Sequence, residues 1–258
     1  MKHAFFLAPA GTGVGLTTVS LGLVNALDRR GVRVAFFKPI SQRTDGGSGL
    51  ERSTHFIRAT TTLEPADPIP VTTAIRMISE GRLDELLGQV IAAFHGSTAT
   101  ADVVVIEGLR SARGDPNLGS LNQELVKTLN AEVMLVASGA DKAAEQLDDQ
   151  IEYSAKIFGG LQKLLGVIVN HYPISDDVTL PSPADRFRSE SQLFRRGKVQ
   201  LIGVVPHSDS LTYPRTLDIQ ALCHVVDRSL GALKVICWDR RAELEKLRRC
   251  LVTACSNA

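Results

Sequence analysis

Short apolar runs alternate with amphipathic stretches along most of the chain. The runs His3–Leu7, Val32–Phe37, Asp102–Ile106, Glu132–Val136, Leu165–Val169 and Leu201–Val205 are rich in β-branched or aromatic side chains and apolar on both alternations. A strand that is apolar on both sides is covered on both sides, so these runs predict a parallel sheet. Between the first two, Leu16, Val19, Leu23, Ala26 and Leu27 recur three or four residues apart, and Gly31 follows where a left-handed cap is wanted. That spacing predicts a helix with one apolar face. Similar patterns predict helices over Leu83–Phe94, Leu121–Leu129, Ala144–Phe158 and Leu217–Leu230. Strand and helix alternating in this way predict an α/β fold, a doubly wound and mainly parallel sheet with helices on both faces and right-handed crossovers.

Two segments break the alternation. Arg43–Pro70 and Pro173–Arg196 mix glycines or prolines with charged residues and read as surface loops carrying short helices. After Gly231 the pattern changes to one strand, Lys234–Trp238, and one amphipathic helix, Arg240–Leu251. The expected organisation is a single α/β domain over residues 1–230 and a short strand–helix extension over 231–258, too small to be a domain by itself.

Composition narrows the function. The 258 residues, 44% of them hydrophobic, suffice for one generous domain. With 29 basic and 28 acidic side chains and a net charge of +1, the chain has no electrostatic footprint for nucleic acid or an anionic membrane. No run approaches the roughly 18 apolar residues of a membrane span, so a soluble, cytoplasmic protein is expected. Lys2, the run Ala4–Ala10 and the small-x-small end Ala8-Pro9-Ala10 have the outline of a signal peptide. A single lysine and so short a run make a poor one, and a first strand explains the run better. Cys223, Cys237, Cys250 and Cys255 match no zinc spacing and read as reduced thiols. The six histidines are scattered without metal spacing, although His207 follows Pro206 at a strand end and can line a pocket.

The segment between the first strand and helix carries the chemistry. It runs Gly11-Thr12-Gly13-Val14-Gly15-Leu16-Thr17-Thr18. A glycine-rich turn lets backbone N–H groups approach a phosphate, and the helix N-terminus adds partial positive charge. The P-loop pattern asks for Gly, four residues, then Gly-Lys-Ser/Thr, and here it reads Ala10, four residues, Gly15-Leu16-Thr17. The second glycine and the hydroxyl are present, but the phosphate-binding lysine is Leu16. The dinucleotide fingerprint fits less well, since its third glycine is also Leu16 and the second strand ends in Lys38 rather than an acid. A turn that merely packs a helix on a sheet is the remaining reading. Lys38 is open to two interpretations, a substrate-binding lysine or a surface lysine at a strand end. Glu107, at the carboxyl end of an apolar strand, needs a partner.

With Phe36-Phe37-Lys38-Pro39-Ile40, Val105-Ile106-Glu107-Gly108-Leu109, Gly166-Val-Ile-Val-Asn170 and Leu201-Ile-Gly-Val-Val-Pro206, the chain resembles the N-terminal domain of long bacterial phosphate acetyltransferases. That domain is similar to dethiobiotin synthetase, in the P-loop NTPase class. The resemblance covers roughly residues 3 to 230. It implies ATP or another nucleotide as ligand, bound by residues 11–18, Asn170 and Pro206, with Asn170 reading adenine. Thr17 and Glu107 match the magnesium-side residues and Lys38 the substrate lysine, the catalytic candidate if the domain is active. Two positions depart: Leu16 replaces the P-loop lysine, and Ser53 stands where a metal-binding Asp is expected. Acetyl transfer between acetyl-CoA and phosphate, a step of acetate metabolism, is then the work of a C-terminal domain absent from this chain. The implied role is a regulatory, nucleotide-sensing domain. It would answer a nucleotide or metabolite effector, act with an acyltransferase domain in cis or in trans, and sit in a homo-oligomer. The alternatives are an ATP-dependent ligase or NTPase like dethiobiotin synthetase, and an oligomerisation domain with a vestigial pocket.

Overall fold

The computed structural model describes residues 3–42, 51–110, 117–140, 142–173 and 181–207. Six strands form one sheet in the order β2-β3-β1-β4-β5-β6, with every neighbouring pair parallel. They are β1 His3–Pro9, β2 Val34–Phe37, β3 Val103–Glu107, β4 Glu132–Ser138, β5 Leu164–Tyr172 and β6 Leu201–Pro206. All of the apolar runs are therefore strands. Most extend further toward the carboxyl end than the runs do, because ladder hydrogen bonds continue where side chains turn polar. Glu107, Ser138 and Asn170 lie in these extensions.

The strands alternate their side chains between two apolar layers. Phe5 and Leu7 of β1 face a layer with α1 (Leu16–Asp28) and Ile57 of α2 (Arg52–Thr60). Ala4, Phe6 and Ala8 face the other, packed by α3 (Val71–Ser79), α4 (Leu83–Ser97), α5 (Asn117–Thr128), α6 (Ala144–Ile157) and α7 (Pro183–Glu190). Helices thus cover both faces, as the two-sided apolarity of the strands requires. Each large aliphatic or aromatic side chain buried this way contributes about 1.5–3 kcal/mol. The helix α3 has no counterpart in the sequence reading, although Val71, Ala74, Ile75 and Ile78 recur at helical spacing; it is only nine residues long and directly follows the proline-rich segment that ends at Pro70. The expected short helices in the two irregular segments are α2, α7 and the single turn α8 (Gln192–Arg195). The helix expected over Leu217–Leu230, the strand and helix after Gly231 and all of the cysteines lie outside the described residues. Among the described residues no helix is long and apolar enough to cross a membrane.

From β1 the chain moves toward β2, and from β4 it moves away toward β5. The connections thus diverge between β1 and β4, and a crevice opens there at the strands' carboxyl ends. The glycine loop leaves β1 at that point.

Candidate functional site

The loop is shaped by glycine and closed by asparagine. Gly13 and Gly15 have φ of 68° and 71°, the left-handed region that side chains disfavour. A Cβ on Gly15 would also overlap Asn170 Nδ2 and lie 3.1 Å from His171 Nε2, whereas at Gly13 nothing lies within 4 Å. The loop is thus sealed on the β5 side and open around Gly13. Asn170 is buried and its Nδ2 donates to the Val14 carbonyl at 2.9 Å. Its Oδ1 has no partner among the described residues. Gly15 starts α1 without a side-chain cap, and the first turn holds no acidic residue. The N–H groups there are left for an anion.

Leu16, in the position of the missing lysine, is 3% exposed and belongs to the apolar layer under α1. Thr12 and Gly13 are exposed, while Thr17 and Thr18 are half-buried.

A polar cluster lies beside the loop. Thr17 is in the first turn of α1, Lys38 follows β2, Ser53 is in the first turn of α2 and Glu107 ends β3. Glu107 is 2% exposed and Lys38 1%, which removes the reading of Lys38 as a surface lysine. Lys38 Nζ donates to Glu107 Oε1 at 2.5 Å, and Glu51 Oε1 lies 3.8 Å from the same ammonium. Ser53 Oγ donates to Glu107 Oε1 at 2.7 Å. Thr17 has one proton left to share between Ser53 Oγ at 2.9 Å and Glu107 Oε1 at 3.3 Å. Glu107 thus has the partner its burial demands, and one of its oxygens takes three donors. Its other oxygen, Oε2, is buried without a partner.

These residues are a poor match for a magnesium ion held by the protein alone. Magnesium is held by one or two carboxylates in an oxygen octahedron. Here Glu107 is matched in charge by Lys38, which Glu51 also faces at 3.8 Å, and the hydroxyls spend their protons on Glu107 or on each other. No group of three or more His, Cys, Asp or Glu converges among the described residues. The orphan Oε2 suits a neutral donor, such as a water or a hydroxyl.

Sequence reasoning missed several of these parts. Glu51 caps α2, accepting from the Thr54 N–H at 2.7 Å, while it faces Lys38. Asn122 of α5 clasps the chain just past β3, accepting from the Leu109 N–H at 2.9 Å and donating to the Leu109 carbonyl at 2.8 Å. His171, at φ 55°, hydrogen-bonds Ser138 Oγ through Nδ1 at 3.3 Å, and its ring lies 6.1 Å from that of His207. Burial, and secondarily the charge of His207, hold the His171 imidazole below the ordinary histidine range. A glutamate before a hydroxyl-rich helix start is a sequence signal for Glu51, and Asn122 falls in Ser120-Leu121-Asn122, one of the stretches that carry the family resemblance. Pro206 ends β6 half-buried, opposite Tyr172.

A family model described as an AAA domain matches residues 3–215. The chain belongs to this AAA-domain family. The domain is 39% identical over 222 residues to the phosphate acetyltransferase of Pseudomonas putida and 40% over 227 residues to that of Pseudomonas aeruginosa. It is 35% identical over 235 residues to that of Escherichia coli. Each comparison covers 85% of this chain but only 32% or 33% of the relative, so the chain spans about a third of the length of these curated relatives. Among solved structures, a McdA variant from Cyanothece in complex with ATP superposes with a TM-score of 0.52 at 14% identity, covering 99% of this chain and 96% of that one. The unliganded McdA gives 0.50 at 16%. At such identity the likeness speaks for the fold, a parallel sheet of the P-loop NTPase kind. The resemblance to phosphate acetyltransferases read from the motifs is matched by the relatives found.

Proposed function

We propose that this AAA domain is a nucleotide-binding regulatory domain of a phosphate acetyltransferase. The reaction, acetyl-CoA and phosphate to acetyl phosphate and CoA, falls to a further domain of the same protein. The observation that carries this reading is a glycine cradle kept open beside a site stripped of free charge. Leu16 is packed in the core, and the carboxylate of Glu107 is already paired with Lys38. Phosphoryl transfer depends on positioned cations and metal, so such a site binds a nucleotide better than it cleaves one. Asn170 Oδ1, buried and unpartnered, is an acceptor suited to the amino group of an adenine. ATP in the McdA complex of similar fold supports a nucleotide as ligand. Relatives three times as long support an acyltransferase domain in cis, and sensing by a domain in an enzyme of that kind fits a homo-oligomer.

Isothermal titration of the 258-residue chain with ATP, ADP and NADH, beside an assay for released phosphate, tests the reading. Micromolar binding without phosphate release is expected. Steady phosphate release would point instead to a ligase or NTPase like dethiobiotin synthetase. Absence of heat with all three would leave a vestigial pocket in a structural domain.

A further inference from the structure

A second polar network reaches the glycine loop from the α6 side, away from Glu107. Gln150 of α6 donates from Nε2 to the carbonyl of Ala10, and it lies so close that a Cβ on Gly11 would overlap its amide. The other end of that amide, Oε1, accepts from Lys142 Nζ at 2.5 Å. Lys142 is exposed and sits in the connection between β4 and α6, across the crevice where the chain directions diverge. Its ammonium is therefore tethered one amide group away from the loop backbone. Gln150 is a neutral acceptor, and a phosphate oxygen is a charged one that hydrogen-bonds an ammonium about twice as strongly. A lysine stem has the flexibility to exchange one for the other. Lys38 has no such freedom, being buried on Glu107.

We propose that Lys142 supplies the cation that Leu16 does not. When the polyphosphate of a nucleotide enters the loop, Nζ leaves Gln150 Oε1 and binds a phosphate oxygen, while Gln150 stays on Ala10 and keeps the stem aimed. The proposal rests on the nucleotide-binding reading above. It makes Lys142 a phosphate-binding residue from outside the P-loop sequence, and Gln150 its positioning residue.

The test is calorimetric titration of the full chain and its variants with ATP and with inorganic tripolyphosphate, at low and high salt. Lys142→Met is expected to weaken both ligands about tenfold or more and to flatten the salt dependence. Lys142→Arg is expected to keep most of the affinity. Gln150→Ala should weaken binding less than Lys142→Met while preserving the salt dependence, because the charge is still present. Lys156→Met, also on α6, serves as a control for general loss of charge. Lys142→Met binding as tightly as the parent, or no more weakly than Lys156→Met, overturns the proposal and leaves the nucleotide reading intact. A parent chain that binds neither ATP nor tripolyphosphate overturns both.

Discussion

Lys38 and Glu107 are 69 residues apart in sequence and share a buried ion pair, so each is the condition for the other's burial. Removing Lys38 strands the Glu107 charge, at a cost of about 3–5 kcal/mol, whereas removing Glu107 still leaves Lys38 facing Glu51 at 3.8 Å, and replacing both by apolar groups is often close to neutral. Lys38→Met is therefore expected to lower the urea midpoint sharply, Glu107→Leu to lower it less, and the double variant to recover much of the loss of Lys38→Met. Additive losses in a double-mutant cycle would show that the pair is not coupled as described. His171 makes a different kind of prediction. Its folded value is held down by burial and by His207, while an unfolded histidine titrates near 6.5. As pH falls the unfolded chain takes up the proton first, so this group's contribution to stability is fully present above about pH 6.5 and is lost below it. The melting temperature is expected to fall between pH 7.5 and 5.5, and less so in His171→Asn, which tolerates the same left-handed backbone. Equal slopes in parent and variant would remove His171 from the account.

Helix ends decide where the polar residues sit. The turn α8 begins at Ser191, whose Oγ donates to Asp148 Oδ1 at 2.5 Å, and Asp148 Oδ2 accepts from the N–H groups of Gln192 at 2.8 Å and Leu193 at 3.2 Å. Asp148 belongs to α6, so one carboxylate caps a neighbouring helix and ties it to the helix that carries Gln150. Asp148→Ala is expected to destabilise the fold by about 1–3 kcal/mol through unsatisfied buried donors. Amide exchange should show α7 and α8 opening more readily, with β1 and β3 unchanged. Protection lost uniformly across the sheet would argue against a local cap. At this scale much was legible beforehand. The apolar runs gave all of the described strands because a sheet covered on both faces leaves no polar alternation to misread. The helix α3 escaped because it is short and abuts the proline-rich segment that ends at Pro70, and the strand ends escaped because ladders outlast apolar runs.

At the scale of the molecule, a ligand that binds only the folded state stabilises it by mass action. ATP at a hundredfold excess over its Kd is expected to raise the melting temperature by about 5–10 °C for a domain of this size. Because Lys38 already balances Glu107, the shift should be the same in EDTA as in magnesium. A shift seen only with magnesium would mean that the Lys38–Glu107 pair opens to admit the ion. The sequence by itself determined the sheet, the two-faced core and the glycine loop, since periodicity and glycine act through local backbone physics. It also singled out Thr17 through the loop pattern and Glu107 through its place at a strand end, while the family resemblance pointed to Lys38 and Asn170. Only the tertiary structure decided how their charges are spent. Lys38 neutralises Glu107, Asn170 holds the loop backbone, and Lys142 stands behind Gln150 at Ala10, from which Gln150 is separated by 140 residues. Electrostatic pairing depends on distance through space, and strands far apart in sequence become neighbours only when the sheet is assembled.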